Sequence, residues 1–440
     1  MRFMVLYAPG RTTSYPDEKV ESGFRFHFLG GGEEVGNVGL VLEDATGTRM
    51  LLDYGLAPSK PPRYPAEAPR VMDAVITHAH IDHLGMAPWL NASHRTELHA
   101  TPFTVAASRV MWRDCYKVSS IEGYPLAWDK RDLEESLRAW REHGFHQVQQ
   151  TGEWDWSLLP AGHIPGAAML DLSTPEHDVL ITGDFDTRPS RLVPGAASKK
   201  ADILFMEGTY GGRNHPDRIE EEQRLLRRVE SVVEGGGTVL IPSFAMGRGQ
   251  DVLMILQDSD LDLDIHYDGM GKILTRLMLD HPEGLKDPEG LERAFGAARK
   301  VSSKSDRKKA LEADVIVSTS GMLEGGPSIW YLNRLRHDSR NSVFLTGYQA
   351  EGTGGRRLLD QGRLPIFGSM TPIELPIDRF DLSTHAGHDE LITFAEETQA
   401  EHVILYHTDH DSARPPLAAD LRERGFEVHC PMNRETYTIQ

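Results

Sequence analysis

The feature that most constrains the fold is a dense group of histidine and aspartate side chains at residues 77–85, THAHIDHLG. Four potential metal ligands fall within six residues in the pattern H-x-H-x-D-H, namely His78, His80, Asp82 and His83. The apolar segment 71–76 directly upstream predicts a buried strand. The ligands are therefore expected on the turn after a strand, which holds them rigidly and exposes them. Imidazole and carboxylate groups suit zinc-type ions, and two successive ligand pairs are enough to begin two adjacent sites.

Composition indicates a soluble globular enzyme. The chain has 440 residues, enough for two domains, and 39% of them are hydrophobic. No apolar segment approaches the roughly 18 residues that a membrane span requires, so no membrane partner is expected. Residues 1–9 do not resemble a secretory signal. Cys115 and Cys430 are the only cysteines; they cannot build a disulfide framework, and a reducing cytoplasm is the simplest setting.

The formal net charge of −19 weighs against a broad nucleic-acid-binding surface. It does not exclude a nuclease, because an active site reaches phosphates through local arginines, backbone amides and metals. Arginines outnumber lysines 35 to 12. Two explanations of the acidic surface stay open: adaptation to a high-salt cytoplasm, or an ordinary acidic surface encoded by a GC-rich genome.

Strands before residue 208 repeatedly end in acidic side chains. The predicted strands here are 24–29, 39–42, 50–53, 179–181 and 203–206. Asp53 closes one of them, while Asp184 and Glu207 follow two others. These strands therefore deliver polar groups to one expected edge of a sheet.

Helices and strands alternate from about Thr209 onward. The sequence predicts helices at 217–234 and 249–257, and strands at 238–242, 315–318, 342–346 and 402–405. One further helix is predicted earlier in the chain, at 131–143. The rhythm after residue 209 indicates βαβ units with a parallel sheet. We expect residues 1–208 and 382–440 to form one domain, with 209–381 inserted into it as an α/β domain.

Three further side chains supply the ligands that two metal ions would still need. His163 lies in a turn between predicted strands, Asp184 directly follows a strand, and His407 follows the strand that ends at Tyr406. Asp184 is the natural bridging carboxylate. Asp53 has a different expected role, which is to orient a ligand histidine.

The order of these residues resembles the metallo-β-lactamase superfamily, and the inserted segment resembles its β-CASP nucleases. Glu207, His385 within LSTHAG, and His407 match motifs of that family. Three stretches resemble the insertion itself: 241–250, 320–327 and 347–355. The similarity spans the chain from Phe24 to its end and is greatest to archaeal and bacterial relatives of the mRNA 3′-end-processing endonuclease, including RNase J-like exonucleases. It implies a metallo-β-lactamase αββα sandwich with an inserted α/β β-CASP domain.

The resemblance also implies a reaction. Two Zn²⁺ ions per chain would clamp a scissile phosphate and lower the pKa of water toward about 7. One ion would be held by His78, His80, His163 and Asp184, and the other by Asp82, His83, Asp184 and His407. His385 would be the general acid, and Glu207 would hold it. The expected substrate is single-stranded RNA in a cleft between the domains, cleaved to 5′-phosphate and 3′-hydroxyl products.

Glycine-rich turns in the insertion are candidates for phosphate contacts. Backbone amides at Gly321, Gly352, Gly354 and Gly355 would face phosphate oxygens. Arg248 would add a bidentate contact. The alternative is that these glycines serve only as turn residues.

Other functions stay open at this stage. A metallo-β-lactamase-fold hydrolase of thioesters, lactones or lactams would not need His385 or the insertion motifs. A non-catalytic subunit of an RNA-processing complex would lack ligands, and none is missing. The residues do not separate endonuclease from 5′-to-3′ exonuclease action, and DNA as substrate and a homodimer both remain open. The family often has Gly-Glu after the last histidine, where this chain has Thr408-Asp409, and often a basic residue at the position of Asn37.

Overall fold

The computed structural model describes residues 15–16, 18–366 and 368–440. Residues 1–9, for which no secretory signal is predicted, lie outside this part of the chain. Within the described part, no helix combines the length and apolar character needed to cross a membrane.

The structure contains strands in three larger sheets and one hairpin. In chain order they are β1 (Phe24–Gly30), β2 (Gly39–Asp44), β3 (Arg49–Tyr54), β4 (Asp73–Val75), β5 (Glu97–Ala100), β6 (Trp140–Glu142), β7 (Gln149–Thr151), β8 (Trp154–Pro160), β9 (Ala168–Ser173), β10 (Asp178–Ile181), β11 (Ile203–Glu207), β12 (Val239–Pro242), β13 (Ile265–Asp268), β14 (Arg299–Lys300), β15 (Val315–Ser318), β16 (Ser342–Leu345), β17 (Arg363–Ile366), β18 (Ser369–Pro372), β19 (Ile377–Arg379), β20 (His402–Tyr406), β21 (Glu427–His429) and β22 (Thr436–Ile439).

The helices connect and flank these sheets. In chain order they are α1 (Ile81–Leu84), α2 (Ala87–His94), α3 (Pro102–Glu122), α4 (Lys130–Ser136), α5 (Arg218–Glu234), α6 (Arg248–Gln257), α7 (Gly271–Asp280), α8 (Pro288–Ala297), α9 (Lys304–Lys309), α10 (Gly326–Leu335), α11 (Gly354–Gln361), α12 (His388–Thr398) and α13 (Arg414–Glu423). A short 3-10 helix covers Ala310–Glu312.

The chain divides into two compact units. The first contains the described residues up to Pro189, together with Gly195–Asn214 and His385–Gln440. The second contains Ser190–Pro194 and His215–Thr384.

The first unit is a sandwich of two seven-stranded sheets, with strand orders β22-β1-β2-β3-β4-β5-β6 and β21-β20-β11-β10-β9-β8-β7. One hydrophobic core joins them, because side chains of β1 and β2 pack with side chains of β8, β9 and β11. Alternation in β1 explains this packing: Phe24, Phe26 and Phe28 are fully buried in that core, as a period of two requires for one face of a strand. Helices flank the sandwich, with α3 against β6 and α12 against β11.

Half of each sheet in the sandwich is parallel. Strands β3 to β6 pair in parallel in one sheet, and β10, β11, β20 and β21 do so in the other. Parallel strands present their carboxyl ends at one edge, where loops can bind ligands. The polar residues that close or follow β3, β4, β10, β11 and β20 therefore meet at such edges.

The second unit is built on a six-stranded, wholly parallel sheet with the order β14-β13-β15-β12-β16-β19. Its core combines buried aliphatic side chains of β12, β15 and β16 with those of α10 and α11. The predicted strands 315–318 and 342–346 are present and lie on either side of β12. The predicted helix 217–234 begins at Arg218, because the side chain of Asp217 caps it by accepting from the Glu220 amide.

The predicted helix at 131–143 is wrong over its second half. Helix α4 ends at Ser136, and residues 140–142 instead form β6 beside β5. The reason is tertiary packing, because Trp140 is only 8% exposed and stacks on the ring of Trp112. The free energy gained by burying the Trp140 indole at the sheet edge exceeds the local preference of these residues for a helix.

Candidate metal centre

The first ligand group brings together side chains that are far apart in sequence. His78 follows β4, His80 precedes the single turn α1, His163 follows β8, and Asp184 follows β10. One nitrogen or oxygen from each lies within 4.8 Å of all the others. His80 Nδ1 is 3.0 Å from His78 Nε2 and 3.3 Å from His163 Nε2. Asp184 Oδ2 lies 3.6 Å from His78 Nε2.

The second group consists of Asp82, His83 and His407, whose donor atoms also lie within 4.8 Å of one another. His407 Nε2 is 3.7 Å from Asp82 Oδ2. Asp184 reaches this group as well: its Oδ2 is 3.4 Å from His83 Nε2, and its Oδ1 is 3.3 Å from His407 Nδ1. One carboxylate therefore contacts both groups, which is the arrangement expected of a bridging ligand.

Asp53 holds the histidine motif from behind. Its carboxylate accepts hydrogen bonds from the Thr77 amide at 2.7 Å and the Thr77 hydroxyl at 2.8 Å. Its Oδ2 also lies 2.7 Å from His83 Nδ1. This contact fixes the ring of His83 and directs Nε2 toward the ligand group. Asp53 contacts a predicted ligand histidine, and its orienting role stays a prediction.

The donor set fits a bound metal. His83 Nε2, Asp184 Oδ1 and His407 Nε2 are buried and make no hydrogen bond within the described part of the chain. A buried polar atom without a partner costs about 1–3 kcal/mol, and a bound cation would satisfy all three. Imidazole with carboxylate is the donor chemistry of zinc and related first-row ions.

Burial and charge prepare these groups for a cation. Burial lowers the pKa of His80 to about 4 and that of His78 well below its usual value, so both rings are neutral. Burial alone would raise the pKa of Asp184, but His407 and His83 reverse the effect and hold it well below its usual value. Burial alone would lower the pKa of His83, but Asp184 and Asp53 raise it well above its usual value, so a metal that binds there would displace a proton from that ring.

Glu207 and His385 form a separate pair beside this cluster. Glu207 Oε1 lies 2.7 Å from His385 Nδ1, and the Glu207 side chain is fully buried. Its carboxylate also accepts from the amides of Phe185 and Thr209. Burial would lower the pKa of His385, but the charge and hydrogen bond of Glu207 outweigh burial and raise it to about 9. Donor atoms of Asp184, Glu207 and His385 all lie within 4.8 Å of one another.

The residues predicted to contact phosphate lie in the second unit, and most are already engaged there. The amide of Gly354 donates to Glu324 at 2.5 Å, and that of Gly355 donates to the Met322 carbonyl at 2.8 Å. The prediction that these two amides face phosphate therefore does not hold. Arg248 is 8% exposed and its Nη1 donates to Asp251 at 3.2 Å, so the bidentate phosphate contact predicted for it is not supported.

The two remaining glycines differ from each other. A side chain at Gly321 would meet the Phe244 backbone nitrogen at 2.8 Å, so close packing explains a glycine at that position. Gly352 has a φ of +78° and open space around it. A phosphate role for either amide stays a prediction.

Three residues of the site carry no obvious signal in the sequence. The Thr77 hydroxyl lies 3.1 Å from His78 Nδ1, and the Thr209 hydroxyl lies 3.2 Å from His407 Nδ1. Gly55 is needed for close approach, because a Cβ there would lie 1.6 Å from the Asp82 carbonyl oxygen. The only hint for the threonines is proximity in sequence to a predicted site residue, since Thr77 precedes His78 and Thr209 lies two residues after Glu207.

Comparisons with known proteins agree with this architecture. Residues 31–243 match the metallo-beta-lactamase superfamily, 250–358 match the Beta-Casp domain, and 370–431 match the Zn-dependent metallo-hydrolase RNA specificity domain. A crystal structure of an Enterococcus faecalis protein of unknown function superposes with a TM-score of 0.62. It covers 95% of this chain and 100% of its own at 14% identity, and so shows the fold alone.

Curated relatives extend over nearly the whole chain. RNase aCSPSF2 of Saccharolobus solfataricus is 33% identical over 93% of this chain and 84% of its own length. Probable RNase MJ4 of Methanocaldococcus jannaschii is 32% identical over 89% and 95%. Transcription termination factor FttA of Pyrococcus abyssi is 30% identical over 98% and 74%. The fold and ligand cluster define a metallo-β-lactamase-fold metallohydrolase, and the chain belongs to the β-CASP family of that superfamily. The predicted fold class is thereby confirmed.

Proposed function

We propose that the protein is a zinc-dependent ribonuclease that hydrolyses phosphodiester bonds of single-stranded RNA to 5′-phosphate and 3′-hydroxyl ends, in RNA processing or decay. The names of two relatives, RNase aCSPSF2 and Probable RNase MJ4, support this choice. A cytoplasmic setting belongs to the same proposal, as does a pair of zinc ions per chain.

Each ligand group would hold one ion, and Asp184 would contact both. Bound metal would supply a Lewis acid that polarises the phosphoryl group and activates water at neutral pH. The protein itself fixes the ligands: Asp53 and Thr77 hold the motif that carries His78 and His83, while Thr209 contacts His407. This support keeps the donor atoms in place before metal or substrate arrives.

His385 would act as the general acid for the leaving 3′ oxygen. Because Glu207 contacts Nδ1, the ring delivers its proton from Nε2. The negative charge of Glu207 also favours the imidazolium form, so that the acid is protonated at neutral pH. The observation that carries the proposal is the position of this pair, within 4.8 Å of the carboxylate that both ligand groups share.

A cleavage time course on labelled single-stranded RNA tests the proposal. Zinc-loaded wild type should cleave the RNA, whereas His385→Ala should lower the rate by roughly 10²- to 10⁴-fold with unchanged metal content. His337→Ala is the matched control, because that histidine is 59% exposed and pairs with Glu374 in the second unit. Cleavage at the wild-type rate by His385→Ala, or no cleavage of any RNA by intact metal-loaded protein, would contradict the proposal.

Two further measurements address the mode of cleavage and the role of Glu207. Internal fragments that appear whatever the 5′ end would indicate an endonuclease, whereas mononucleotides released preferentially from 5′-monophosphate RNA would indicate a 5′-to-3′ exonuclease.

Glu207→Gln removes the charge that keeps His385 protonated, and activity requires the protonated form. The alkaline limb of the pH–rate profile should therefore move to lower pH, and an unchanged limb would exclude this role for Glu207.

A further inference from the structure

The second unit contains a cavity that is not part of the ligand cluster. Its volume is about 610 Å³, within the roughly 300–1,000 Å³ typical of ligand pockets. It lies at the carboxyl end of β13, where Gly269 and Met270 lead into α7, and it is closed on the other side by Lys300 to Lys304 and by α9. In open parallel sheets, ligands bind outside the carboxyl ends of the strands.

The lining of this cavity is strongly basic in an otherwise acidic chain. Five cationic side chains line it against a single acid, Asp268, which gives a local formal charge of +4; the cations are Lys272, Arg276, Lys300, Lys304 and Arg307. The whole chain carries −19 and has only twelve lysines, of which three are in this lining. Such a concentration of positive charge is not expected from the composition of the chain, and it would attract an anion.

Two of the cations have a structural partner in Asp268. Arg307 contacts its carboxylate through Nε at 2.7 Å and Nη2 at 3.2 Å. Lys272 lies 3.8 Å from the same carboxylate and donates to the Val301 carbonyl. Lys300 donates to the carbonyls of Phe295 and Gly296, which carry no formal charge to balance it.

The other two cations, Arg276 and Lys304, are exposed, and their side chains make no hydrogen bond or ion pair within the described part of the chain. Arg276 lies one helical turn after Lys272 on the same face of α7. Lys304 is the first residue of α9. Two helices therefore bring unbalanced positive charge to one cavity, with a guanidinium fork and an ammonium group suited to phosphate oxygens.

We infer that this cavity binds phosphate groups of the RNA backbone, as a contact region separate from the metal ligands. The inference rests on the proposed function for its choice of RNA. It resolves an electrostatic difficulty, since a chain with a net charge of −19 needs local basic groups to hold a polyanion. Free nucleotides and inorganic phosphate share the same recognition chemistry, and the experiment separates them from RNA.

The test measures binding of fluorescein-labelled oligouridylate by anisotropy at several salt concentrations, with all proteins in the His385→Ala background to keep the RNA intact. The double variant Arg276→Ala/Lys304→Ala removes the two unbalanced cations. Each lost phosphate contact reduces the slope of log K against log salt by about 0.7 for single strands, which corresponds to roughly 5-fold in affinity at 0.1 M salt. We expect a loss on the order of 25-fold for the pair.

Arg363→Ala/Lys200→Ala is the matched control. It removes one arginine and one lysine that are exposed and do not line the cavity. Binding and slope should stay near those of the parent protein, apart from a small effect of net charge. Equal affinity and slope for the cavity and control variants would overturn the inference.

Two further measurements distinguish the outcomes. If UMP and inorganic phosphate bind the parent protein and lose affinity in the cavity variant while RNA binding is unchanged, the cavity serves a small ligand and the RNA assignment is wrong. Hydrolysis of bis(p-nitrophenyl) phosphate, with His385 restored, should be unaffected by Arg276→Ala/Lys304→Ala. RNA that binds through the cavity but is never cleaved would refute the proposed nuclease while leaving the phosphate site standing.

Discussion

Two groups of histidine and carboxylate side chains in the first unit have nearly the same donor spacing. In the buried cluster, His80 Nδ1 is 3.0 Å from His78 Nε2 and 3.3 Å from His163 Nε2. At the sheet edge formed by β20 and β21, His402 Nδ1 is 3.1 Å from His429 Nε2, and each nitrogen is 3.6 Å from a Glu427 oxygen. Donor spacing alone therefore does not separate them.

Burial and surrounding contacts do separate them. Glu427 is 62% exposed, and the two edge histidines contact each other, so water and their mutual hydrogen bond satisfy all three groups. Asp184 is 4% exposed and has an oxygen without a hydrogen bond, as described above. A cation removes a large penalty in the buried cluster and almost none at the edge. Buried polar atoms that lack hydrogen bonds, and not donor spacing, therefore distinguish the candidate metal centre from the group at the sheet edge.

The largest expected effect comes from the shared carboxylate. Asp184→Asn removes the carboxylate that contacts both ligand groups, so metal content should fall in both. A metal ion supplies several kcal/mol of transition-state stabilisation, and the loss of RNA cleavage should be on the order of 10³-fold or more. Metal analysis of dialysed protein and a single-turnover assay would measure the two effects.

Asp178→Asn is the control for that variant, because Asp178 is an exposed residue at the start of β10, the strand that Asp184 follows. It should keep both metal content and activity. Full metal occupancy in Asp184→Asn would show that the two groups do not depend on a common ligand, and the contrast between the buried and edge clusters would then lose its basis.

Asp53→Asn should have an intermediate effect. Asparagine keeps the size of the side chain but removes the negative charge that faces His83 Nδ1. Loss of such an orienting partner commonly weakens metal affinity by about 10- to 100-fold. Competition against a fluorescent zinc chelator would measure this change. Wild-type affinity in Asp53→Asn would mean that the surrounding contacts contribute nothing beyond the ligands themselves.

The sequence made the buried cluster predictable because its ligands follow strands. The motif at residues 78–83 is contiguous, and the acids that close or follow β3, β10 and β11 stand at the carboxyl ends of parallel-paired strands, β3 in one sheet and β10 and β11 in the other. Other features depend on contacts between distant segments. Burial of Trp140 converts a helical pattern to a strand, and the Lys286 amide donates to Leu192, which places residues 190–194 in the second unit. The basic cavity likewise joins residues 268–276 to 300–307, which no local pattern links.

The smallest expected effect concerns the group at the sheet edge, His402, Glu427 and His429. It is the most direct test of whether burial distinguishes this group from the buried cluster. His429→Ala removes a donor that is 23% exposed, on a strand at the rim of the sheet. Metal content after dialysis should be unchanged, and activity should stay within about twofold, because surface substitutions typically change stability by no more than about 0.5 kcal/mol. His163→Ala, which removes a buried donor of similar spacing, should lose metal under the same conditions. If His429→Ala also lost one metal equivalent, donor spacing by itself would be sufficient for binding, and exposure would not weaken a site in the way that the buried cluster suggests.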